Sequence, residues 1–334
     1  MGRHFSTARE AMERLYAENP TIGRKRLMKL TGASNGAAQR FLEGKKKEKR
    51  AVPEQPKPTA AAPAHPLTAK LEAAGISETE LDVILKSMKQ PDVKLTRTAH
   101  VWGKGSFKFA CISDTHIGHV KAHLEWWLKA CDLIHREKCD VVFHPGDITE
   151  GMSGRPGHIY ELEAVGVNAQ VDLAVERLGL LAGVPIKAIT GNHDQWAFKA
   201  VGIDIGATLQ QRLDDFEYLG PDEADVTIDG VTIKLWHGGD GASYATSYRT
   251  QKFVEGLTGG EKPHILLSGH AHKSIMHECR NVMVFEAGTL CGQTGWMRGK
   301  KLAAHVGFWI IEVFPAADAG IERLVAQWVP FFRE

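Results

Sequence analysis

The spacing of apolar residues changes near residue 107 and divides the chain into a helical part and an α/β part. Before residue 45, apolar side chains recur every three or four positions, which is the spacing of one helix face. The pattern predicts a small all-α unit with helices over residues 6–18, Thr21–Leu30 and Ser34 to about Glu43, the first one stopped by Asn19-Pro20. The side chains predicted to be buried in the second and third helices are Ile22, Leu27, Leu30, Ala37, Ala38, Phe41 and Leu42.

From residue 107 onward, short apolar runs alternate with amphipathic stretches of helical spacing. This βαβαβ order predicts a mainly parallel sheet covered by helices. Further along, an Asp-Gly pair between two alternating runs predicts a hairpin over Val226–Ile233. Short strands over 264–268, 281–286 and 306–313 predict a second sheet packed on the first. The elements predicted for the first sheet are strands Phe107–Ser113, Asp140–His144 and Pro185–Thr190 with helices Lys121–Glu137 and Asn168–Leu181.

Charge is distributed unevenly between the two parts. Residues 1–50 hold 13 Lys and Arg against 5 Asp and Glu, while the rest of the chain holds 28 against 35. Two short helices around a Gly-containing turn, with basic side chains on their outer faces, resemble a helix-turn-helix DNA-binding unit. A solvated helical hairpin is the alternative, and the concentrated charge favours DNA as a partner. The basic residues concerned are Arg24, Lys25, Arg26, Arg40 and Lys45–Lys47.

The composition between the two parts predicts the domain boundaries. Residues 1–43 are expected to form the basic helical unit, and residues 44–66, rich in Lys, Ala and Pro, a flexible linker. A capping box before the helix Leu81–Met88 makes residues 67–106 a helical lead-in. Residues 107–334 then form the catalytic domain. Five cysteines without a C-x-x-C pair, and the lack of an apolar run that could be a signal peptide or a membrane span, indicate a cytoplasmic protein.

Metal-ligand types of residue follow the predicted strands at five places. In α/β sheets the carboxyl ends of strands meet at one crevice, so residues remote in sequence converge there. A single such histidine is usually structural, but five motifs in this order, each following an apolar strand, predict one metal site. The motifs are SDTH with Asp114 and His116, PGD with Asp147, GNHD with Asn192 and His193, WHGG with His237, and SGHAH with His270 and His272.

The order D-x-H, G-D, G-N-H-D, H-G, G-H-x-H is similar to that of the calcineurin-like metallophosphoesterases, over about residues 107–315. The resemblance implies an α/β fold, a two-sheet sandwich flanked by helices, that holds two divalent metals bridged by a carboxylate. The mixture of carboxylate, amide and imidazole favours Mn, with Fe or Zn as alternatives, over Mg or Ca. The resemblance assigns Asp114, His116 and His272 to one metal, Asn192, His237 and His270 to the other, and Asp147 to both.

Two further residues would act beside the metals. Paired metals lower the pKa of a bridging water and neutralise the phosphoryl group. The resemblance implies that His193 protonates the leaving oxygen and that an acidic residue orients it. That residue is Glu150, in GDITE, where many phosphatases have Asp. The alternative interpretation of Glu150 is an ordinary surface-loop carboxylate.

Two segments carry the prediction of the substrate. The loop Gly151–Tyr160 offers Arg155, His158 and Tyr160 to hold a phosphodiester and stack a base, unless these side chains only pin the loop. The stretch GTLCGQTGWMRGK, with Arg298, resembles phage-encoded phosphoesterases and the small subunit of archaeal D-family DNA polymerase. We therefore expect a DNA nuclease, and the resemblance implies a phage-encoded type. A phosphomonoesterase and a non-catalytic DNA-binding replication or repair accessory are the alternatives.

Overall fold

The computed structural model describes residues 8–20, 22–50, 96–239 and 245–331. The chain divides into two compact units, Met1–Gln90 and Pro91–Glu334. Most of the predicted linker and the predicted helix Leu81–Met88 lie outside the described residues. In the part of the chain that is described, no helix is long and apolar enough to cross a bilayer.

The first unit contains helices α1 (Ala8–Glu18), α2 (Arg24–Thr31) and α3 (Asn35–Arg50). Gly32 ends α2 with φ 67° and donates its N–H to the Met28 carbonyl, a left-handed cap that glycine adopts without strain. Tyr16 on α1 meets Phe41 on α3 edge to face. The core of this unit consists of the buried side chains Met12, Ile22, Leu27, Ala33 and Ala38.

Two details of this unit differ from the prediction. Helix α3 runs to Arg50 rather than Glu43, because lysine, arginine and glutamate are good helix formers and no proline interrupts the run before Pro53. Leu30, predicted to be buried, is 56% exposed. Three residues of α-helix turn through about 300°, so Leu30 points about 60° away from Leu27, which fills the small core.

In the second unit, the first sheet has six strands in the order β12-β11-β2-β3-β4-β5. Strands β2 to β5 are parallel, and β11 and β12 continue the sheet antiparallel on the far side of β2. The strands are β2 (Phe107–Cys111), β3 (Val141–Pro145), β4 (Ile186–Thr190), β5 (Phe216–Pro221), β11 (Gly307–Pro315) and β12 (Ile321–Pro330).

Helices cover the outer face of this sheet. Helix α4 (Leu124–Arg136) connects β2 to β3, α5 (Val167–Leu178) connects β3 to β4, and α6 (Asp194–Val201) with α7 (Ile205–Arg212) connects β4 to β5. Ala110 of β2 packs with Trp127, Ile134 and Val171 in the core between sheet and helices. The sequence pattern predicts α4 and α5, whereas α6 and α7 were not predicted.

The second sheet has the order β1-β6-β7-β8-β10-β9. Strands β6 and β7 form the predicted hairpin, with Asp229 and Gly230 both at positive φ in its turn. Helix α8 (Tyr248–Gly256) packs on this sheet, and α9 (Gly295–Gly299) follows it. The strands are β1 (Thr96–His100), β6 (Glu223–Ile228), β7 (Val231–Trp236), β8 (Ile265–Ser268), β9 (Ser274–Cys279) and β10 (Val282–Ala287).

The two sheets enclose one apolar layer. Phe109 and Phe143 of the first sheet share it with Ile233, Leu267 and Phe285 of the second. Side chains alternate across a strand, so Phe109 faces the second sheet while Ala110 faces the helices. The predicted α/β fold, a two-sheet sandwich flanked by helices and preceded by a small helical unit, is confirmed.

Two strand predictions were wrong. The strand over 306–313 was assigned to the second sheet, but β11 pairs with β2 in the first. Apolar alternation identifies a strand but not its partner, since both faces of the sandwich demand the same pattern. The segment 67–106 was predicted to be helical, yet Thr96–His100 forms β1, which pairs parallel with β6. Its polar TRTAH alternation is that of an edge strand with one half-buried face.

Candidate metal centre

Both sheets supply polar side chains to one crevice. Asp114, Asp147 and Asn192 lie just beyond the carboxyl ends of β2, β3 and β4 in the first sheet. His237 and His270 lie just beyond β7 and β8 in the second. These strand ends meet at the same edge of the sandwich, so the five predicted motifs come together although they span nearly 160 residues of sequence.

The backbone of this crevice is strained. Positive φ is uncommon for residues with a side chain and costs of order 1–3 kcal/mol each where surrounding structure holds it. Such strain concentrates at functional sites, because the tight turn aims a side chain where a relaxed loop would not. Five of the predicted ligands have it: Asp114 (φ 50°), His116 (45°), Asp147 (53°), His270 (72°) and His272 (53°).

One group of donor atoms gathers around Asp114. Nε2 of His272 lies 3.3 Å from Oδ1 of Asp114 and 3.0 Å from Nε2 of His116. Nε2 of His116 lies 4.0 Å from the same carboxylate oxygen. Asp114 is completely buried, and its carboxylate also accepts the backbone N–H of His270 at 3.0 Å. The three side chains form a compact ligand set on one side of the crevice.

A second group gathers around Asn192. Its Oδ1 lies 3.1 Å from Nε2 of His237 and 2.9 Å from Nδ1 of His270. Nε2 of His237 also lies 3.1 Å from Oδ2 of Asp147. Asp147, His237 and His270 present ligand atoms within 4.8 Å of one another.

Asp147 lies between the two groups. Its Oδ2 is 3.1 Å from Nε2 of His237 on one side and 3.9 Å from Nε2 of His116 on the other. The backbone of Gly191 lies close to the Asp147 carboxylate, and any side chain at position 191 would collide with it. Asp147 is therefore within reach of ligand atoms from both groups.

The tautomers of two histidines follow from their outer partners. Nδ1 of His237 lies 2.8 Å from the Pro145 carbonyl, which can only accept, so Nδ1 carries the proton. Nδ1 of His116 lies 2.8 Å from the Glu150 carboxylate and carries a proton for the same reason. In both rings the Nε2 lone pair then faces the centre of the crevice, as in metal-binding histidines.

This arrangement fits cations. Around Asn192 the Nε2 atom of His237 faces an amide oxygen and a carboxylate oxygen, so a neutral ring with its lone pair directed there is unfavourable unless a cation lies among the three atoms. Burial would lower the pKa of His237, but the negative Asp147 outweighs it and raises that pKa to about 9. The crevice thus stabilises positive charge at its centre, as a set of nitrogen and oxygen ligands for divalent metals requires.

Glu150 is buried and touches three histidines. Its Oε2 accepts from His116 Nδ1 at 2.8 Å and its Oε1 pairs with His158 Nε2 at 2.7 Å. Nδ1 of His193 lies 3.5 Å from Oε2. Burial opposes its ionisation, yet the hydrogen bonds from His116 and His158 hold the pKa of Glu150 far below its usual range. The surface-loop alternative for Glu150 is wrong: only 5% of the residue is exposed.

His193 lies beside Asp147 rather than in either ligand group around Asp114 or Asn192. Its backbone N–H donates to Oδ1 of Asp147 at 2.8 Å, and its Nδ1 donates to the Glu150 carbonyl at 2.8 Å. Its ring packs on Trp196 with centroids 4.0 Å apart. Burial opposes the charged ring, but Asp147 and Glu150 outweigh that effect and raise the pKa of His193 to about 9.

Asp194, the last residue of GNHD, holds the loops together. Its carboxylate accepts N–H groups from Ile148, Thr149 and Gly191 at 2.8–3.0 Å. These bonds tie the loop after β3 to the loop after β4, and so set Asp147 against Asn192. The sequence does not distinguish this structural role of Asp194 from the role of a metal ligand, because aspartate serves in both.

The four residues predicted to bind substrate lie in different environments. A cavity of about 470 Å³ opens over the crevice and includes Arg155 and His158 in its wall, but not Tyr160 or Arg298. Arg155 forms a two-pronged ion pair with Glu161 at 2.5 and 3.2 Å. His158 is 3% exposed and both its ring nitrogens are engaged, with Glu150 and with the Ser153 N–H.

The ring of His158 is turned toward Glu150, and contact of this residue with substrate stays a prediction. Tyr160 is 87% exposed and stands outside the cavity. Loop sequence identifies polar side chains but not the direction in which a turn aims them, and here Gly157 at φ 84° starts a short 3-10 turn that sends His158 inward.

Other residues of the cavity wall were not singled out as site residues. Arg249 on α8 lies 5.1 Å from the Trp236 ring centre and donates to the Gly238 carbonyl, with 7% exposed. Lys273 and Trp196 line the cavity as well. Lys273 directly follows the last ligand motif, which was the one available signal, whereas Arg249 and Trp196 lie on helices. Trp296, which the sequence places in the segment GTLCGQTGWMRGK, is also part of the wall.

Comparison with known proteins places the second unit in a family. The family described as Calcineurin-like phosphoesterase superfamily domain matches residues 107–302. The DNA polymerase II small subunit of Halobacterium salinarum, in two strains, is 31% identical over 139 residues. That match covers 40% of this chain and only 27% of the relative's length.

Solved structures with a similar fold include an archaeal phosphodiesterase, at 18% identity and a TM-score of 0.40, covering 67% of this chain and all of that one. The phosphoesterase Yfce of E. coli has 17% identity and a TM-score of 0.37, covering 66% of this chain and 98% of its own. Vacuolar Protein Sorting 29 of Cryptosporidium parvum has 15% identity and a TM-score of 0.40, covering 68% and 100%.

The family match spans more than half of the chain and includes every strand-end motif of the crevice. The superfamily depends on two metals, and the clustered side chains are candidates to hold them. The chain belongs to the calcineurin-like phosphoesterase superfamily.

Proposed function

We propose that this phosphoesterase hydrolyses phosphodiester bonds in DNA with two divalent metals. The observation that carries the proposal is the position of Asp147, whose carboxylate reaches ligand atoms on both sides of the crevice. A bridging carboxylate between two sets of nitrogen and oxygen ligands is the arrangement of two-metal hydrolysis.

In this proposal Asp114, His116 and His272 hold one metal, and Asp147 is shared. Asn192, His237 and His270 hold the other. Nitrogen-rich sites of this kind suit Mn, Fe or Zn, and we expect Mn. When bound, the metals supply a hydroxide nucleophile at neutral pH and neutralise the phosphate oxygens.

His193 donates the proton to the leaving oxygen. Its raised pKa keeps the ring charged at neutral pH. Because Nδ1 donates to the Glu150 carbonyl, the proton on Nε2 is the one that remains for the substrate. Trp196, packed on the ring face, limits its rotation. Glu150 acts as a positioning residue, since it fixes His116 and approaches His193 from behind.

Support for DNA as the substrate comes from outside the crevice. The curated relative with 31% identity is a DNA polymerase subunit. The helices α2 and α3 meet around Gly32, and α2 exposes Arg24, Lys25 and Arg26, which fits a helix-turn-helix unit that binds the phosphate backbone. A tethered DNA-binding unit would raise the concentration of substrate near the cavity.

The test is an Mn-dependent digestion of end-labelled linear DNA and circular DNA, each in single-stranded and duplex form, beside bis-p-nitrophenyl phosphate and the monoester p-nitrophenyl phosphate. We expect cleavage of DNA and of the bis-ester, lost in His193→Ala by roughly 10²–10⁴-fold on DNA. Rapid hydrolysis of the monoester, with inert DNA and inert bis-ester, would instead identify a phosphomonoesterase. Tight DNA binding without turnover under any divalent metal would identify a non-catalytic accessory.

Charge-reversal variants test whether the helical unit binds DNA. The double variant Arg26→Glu with Lys29→Glu should weaken DNA binding and flatten its dependence on salt, because each lost phosphate contact removes about 0.9 from the slope of log K against log salt. Lys129→Glu with Lys199→Glu makes the same change of net charge on exposed residues outside the cavity. Equal effects of both pairs would show that only overall charge matters.

A further inference from the structure

Trp296 is the most exposed of the eight tryptophans, all of which lie among the described residues. It is 49% exposed, whereas Trp126, Trp127 and Trp309 are nearly buried. A large aromatic side chain left half in water gains little from folding, since burial is its main contribution to stability. An exposed tryptophan that borders a cavity is typical of a ligand-contact surface.

The backbone beneath Trp296 is held rigidly. Thr294 caps α9, because its hydroxyl accepts the Met297 N–H at 3.1 Å. The side-chain amide of Gln293 donates to the Leu302 carbonyl at 2.7 Å and closes the segment. Met297, 6% exposed, anchors the short helix from below. The indole is thus presented by a fixed support, which lowers the entropy lost when a ligand stacks on it.

Trp296 shares its cavity with the metal-ligand residues. The same wall includes Asp147, His193 and three of the ligand histidines, His116, His270 and His272, so a molecule inside can contact the indole and the reacting centre together. Arg249 and Lys273 line it too and provide positive charge for phosphate. Met297 and Leu302 extend the apolar side next to Trp296. The cavity lining therefore combines apolar and aromatic side chains with polar and charged ones.

The size of the cavity limits what enters. At about 470 Å³ it lies in the range of sites for small molecules and single building blocks, far below the volume of a duplex. Stacking on an indole requires a base whose face is not covered by its neighbours. Both conditions point to a nucleotide that is unpaired.

We propose that Trp296 is the stacking platform for an unpaired base next to the scissile phosphate, and that the substrate is single-stranded DNA or an unpaired end. This inference rests on the proposed phosphodiesterase function and names its substrate class. The base stacks on the indole, while Arg249 and Lys273 contact the phosphates. Because every base has an aromatic face, the subsite tolerates any sequence.

The test compares substrates with and without bases. Wild-type protein with Mn is assayed on a single-stranded oligonucleotide, on the same oligonucleotide made of abasic tetrahydrofuran units, and on bis-p-nitrophenyl phosphate. Trp296→Ala should lower kcat/KM on the natural strand by roughly 5- to 150-fold, mainly through KM, which is the range that alanine substitution of a stacking aromatic produces. On the abasic strand and the bis-ester we expect a change within about twofold.

Two further variants separate stacking from packing. Trp296→Phe keeps an aromatic face and should retain most of the activity, whereas Trp296→Leu keeps apolar volume without the face and should behave like the alanine variant. Phe198→Ala removes another exposed aromatic ring, 59% exposed, that does not line the cavity, and should change nothing. The thermal unfolding midpoint of each variant reports whether it folds.

The outcomes separate this inference from the proposed function. If wild-type protein cleaves DNA but Trp296→Ala lowers activity equally on base-bearing and base-free substrates, or leaves it unchanged on both, the stacking subsite is wrong and the phosphodiesterase stands. The same holds if Trp296→Leu matches Trp296→Phe, or if wild-type protein cuts duplex ends as well as single strands. If wild-type protein cleaves no diester at all, the proposed function itself fails.

Discussion

The ligand residues of the crevice and the segments around the cavity are built in opposite ways. The ligand wall, which comprises Asp114, His116, Asp147, Asn192, His237, His270 and His272, comes from turns just beyond strand ends, and much of it is buried and strained. The rim, which comprises residues 151–161 and 293–302, comes from loops and a short helix, and several of its side chains are exposed. The wall shows what a fixed chemical centre demands, and the rim consists of surface loops, the kind of segment that often carries binding residues.

Outer contacts explain the difference in rigidity. On the wall, His116 and His237 are each held at the nitrogen that faces away from the centre, by Glu150 and by the Pro145 carbonyl. On the rim, Arg155 forms an ion pair with Glu161 that is partly open to solvent and is therefore worth little. A substitution on the wall should disturb metals and chemistry, whereas one on the rim should act on substrate binding alone.

The largest effect should follow Asp147→Asn on the wall. The amide removes the charge shared by the two ligand groups, so we expect kcat to fall by about 10³-fold or more, with loss of one metal in titration calorimetry with Mn. Asp172→Asn, at an exposed aspartate paired with Arg212, is the matched control and should leave both unchanged. If Asp147→Asn were as active as wild type, the wall would tolerate substitution as well as the rim does, and the comparison between them would be wrong.

The next effect concerns Glu286, which is buried near the end of β10 in the second sheet. Burial raises the pKa of Glu286 to about 7, although Arg249, Lys273 and the Thr250 hydroxyl oppose this and Asp114 adds to it. Thr250 also contacts His277 at 2.9 Å. With the folded pKa above the unfolded value of 4.5, the unfolded chain releases this proton first as pH rises. Stability should therefore fall between about pH 4.5 and 7 and change no further above that range.

Glu286→Gln removes this ionisation. The free energy of unfolding of the variant, minus that of wild type, should be about 3 kcal/mol larger at pH 8 than at pH 4.5. Urea unfolding in EDTA at both pH values measures the two differences. Glu312→Gln, at a partly buried glutamate on β11, gives the control. A constant difference across the two pH values would mean that Glu286 ionises normally.

A smaller effect is expected from Glu150→Gln, which weakens the support of His116 from behind. Loss of such an outer partner typically costs 10–100-fold in metal affinity or activity. Glu161→Gln breaks the Arg155 ion pair on the rim and should change metal affinity by less than about twofold. Titration calorimetry with Mn compares the two, and similar losses would mean that the rim supports the metals as well.

The smallest effects should follow Tyr160→Ala and Arg298→Ala. Both side chains lie outside the cavity wall, and Tyr160 is 87% exposed. We expect kcat/KM on single-stranded DNA to stay within about twofold of wild type, in contrast to Trp296→Ala. A tenfold rise in KM for either variant would extend the substrate path beyond the cavity.

The ligand wall was predictable because its signals are local. An apolar run followed by a polar residue and a small residue marks a strand end, and parallel strand ends of a sandwich converge whatever the details of the sheet. The roles of Asp147 and His193 stay predictions, although the structure brings both residues to the crevice. The strand β11 and the direction of His158 could not be predicted, because each depends on a partner distant in sequence.

The sequence alone therefore determined the first three parallel strands with the two helices between them, the hairpin after residue 225, the charge on the N-terminal helices and the residues that meet in the crevice. Each of these follows from spacing, composition or the ends of regular elements. Only the tertiary structure decided that Glu150 is buried among three histidines, that Tyr160 points to solvent and that Trp296 stands on the cavity wall. Burial and direction arise when loops from different strands pack together, and no local pattern carries that information.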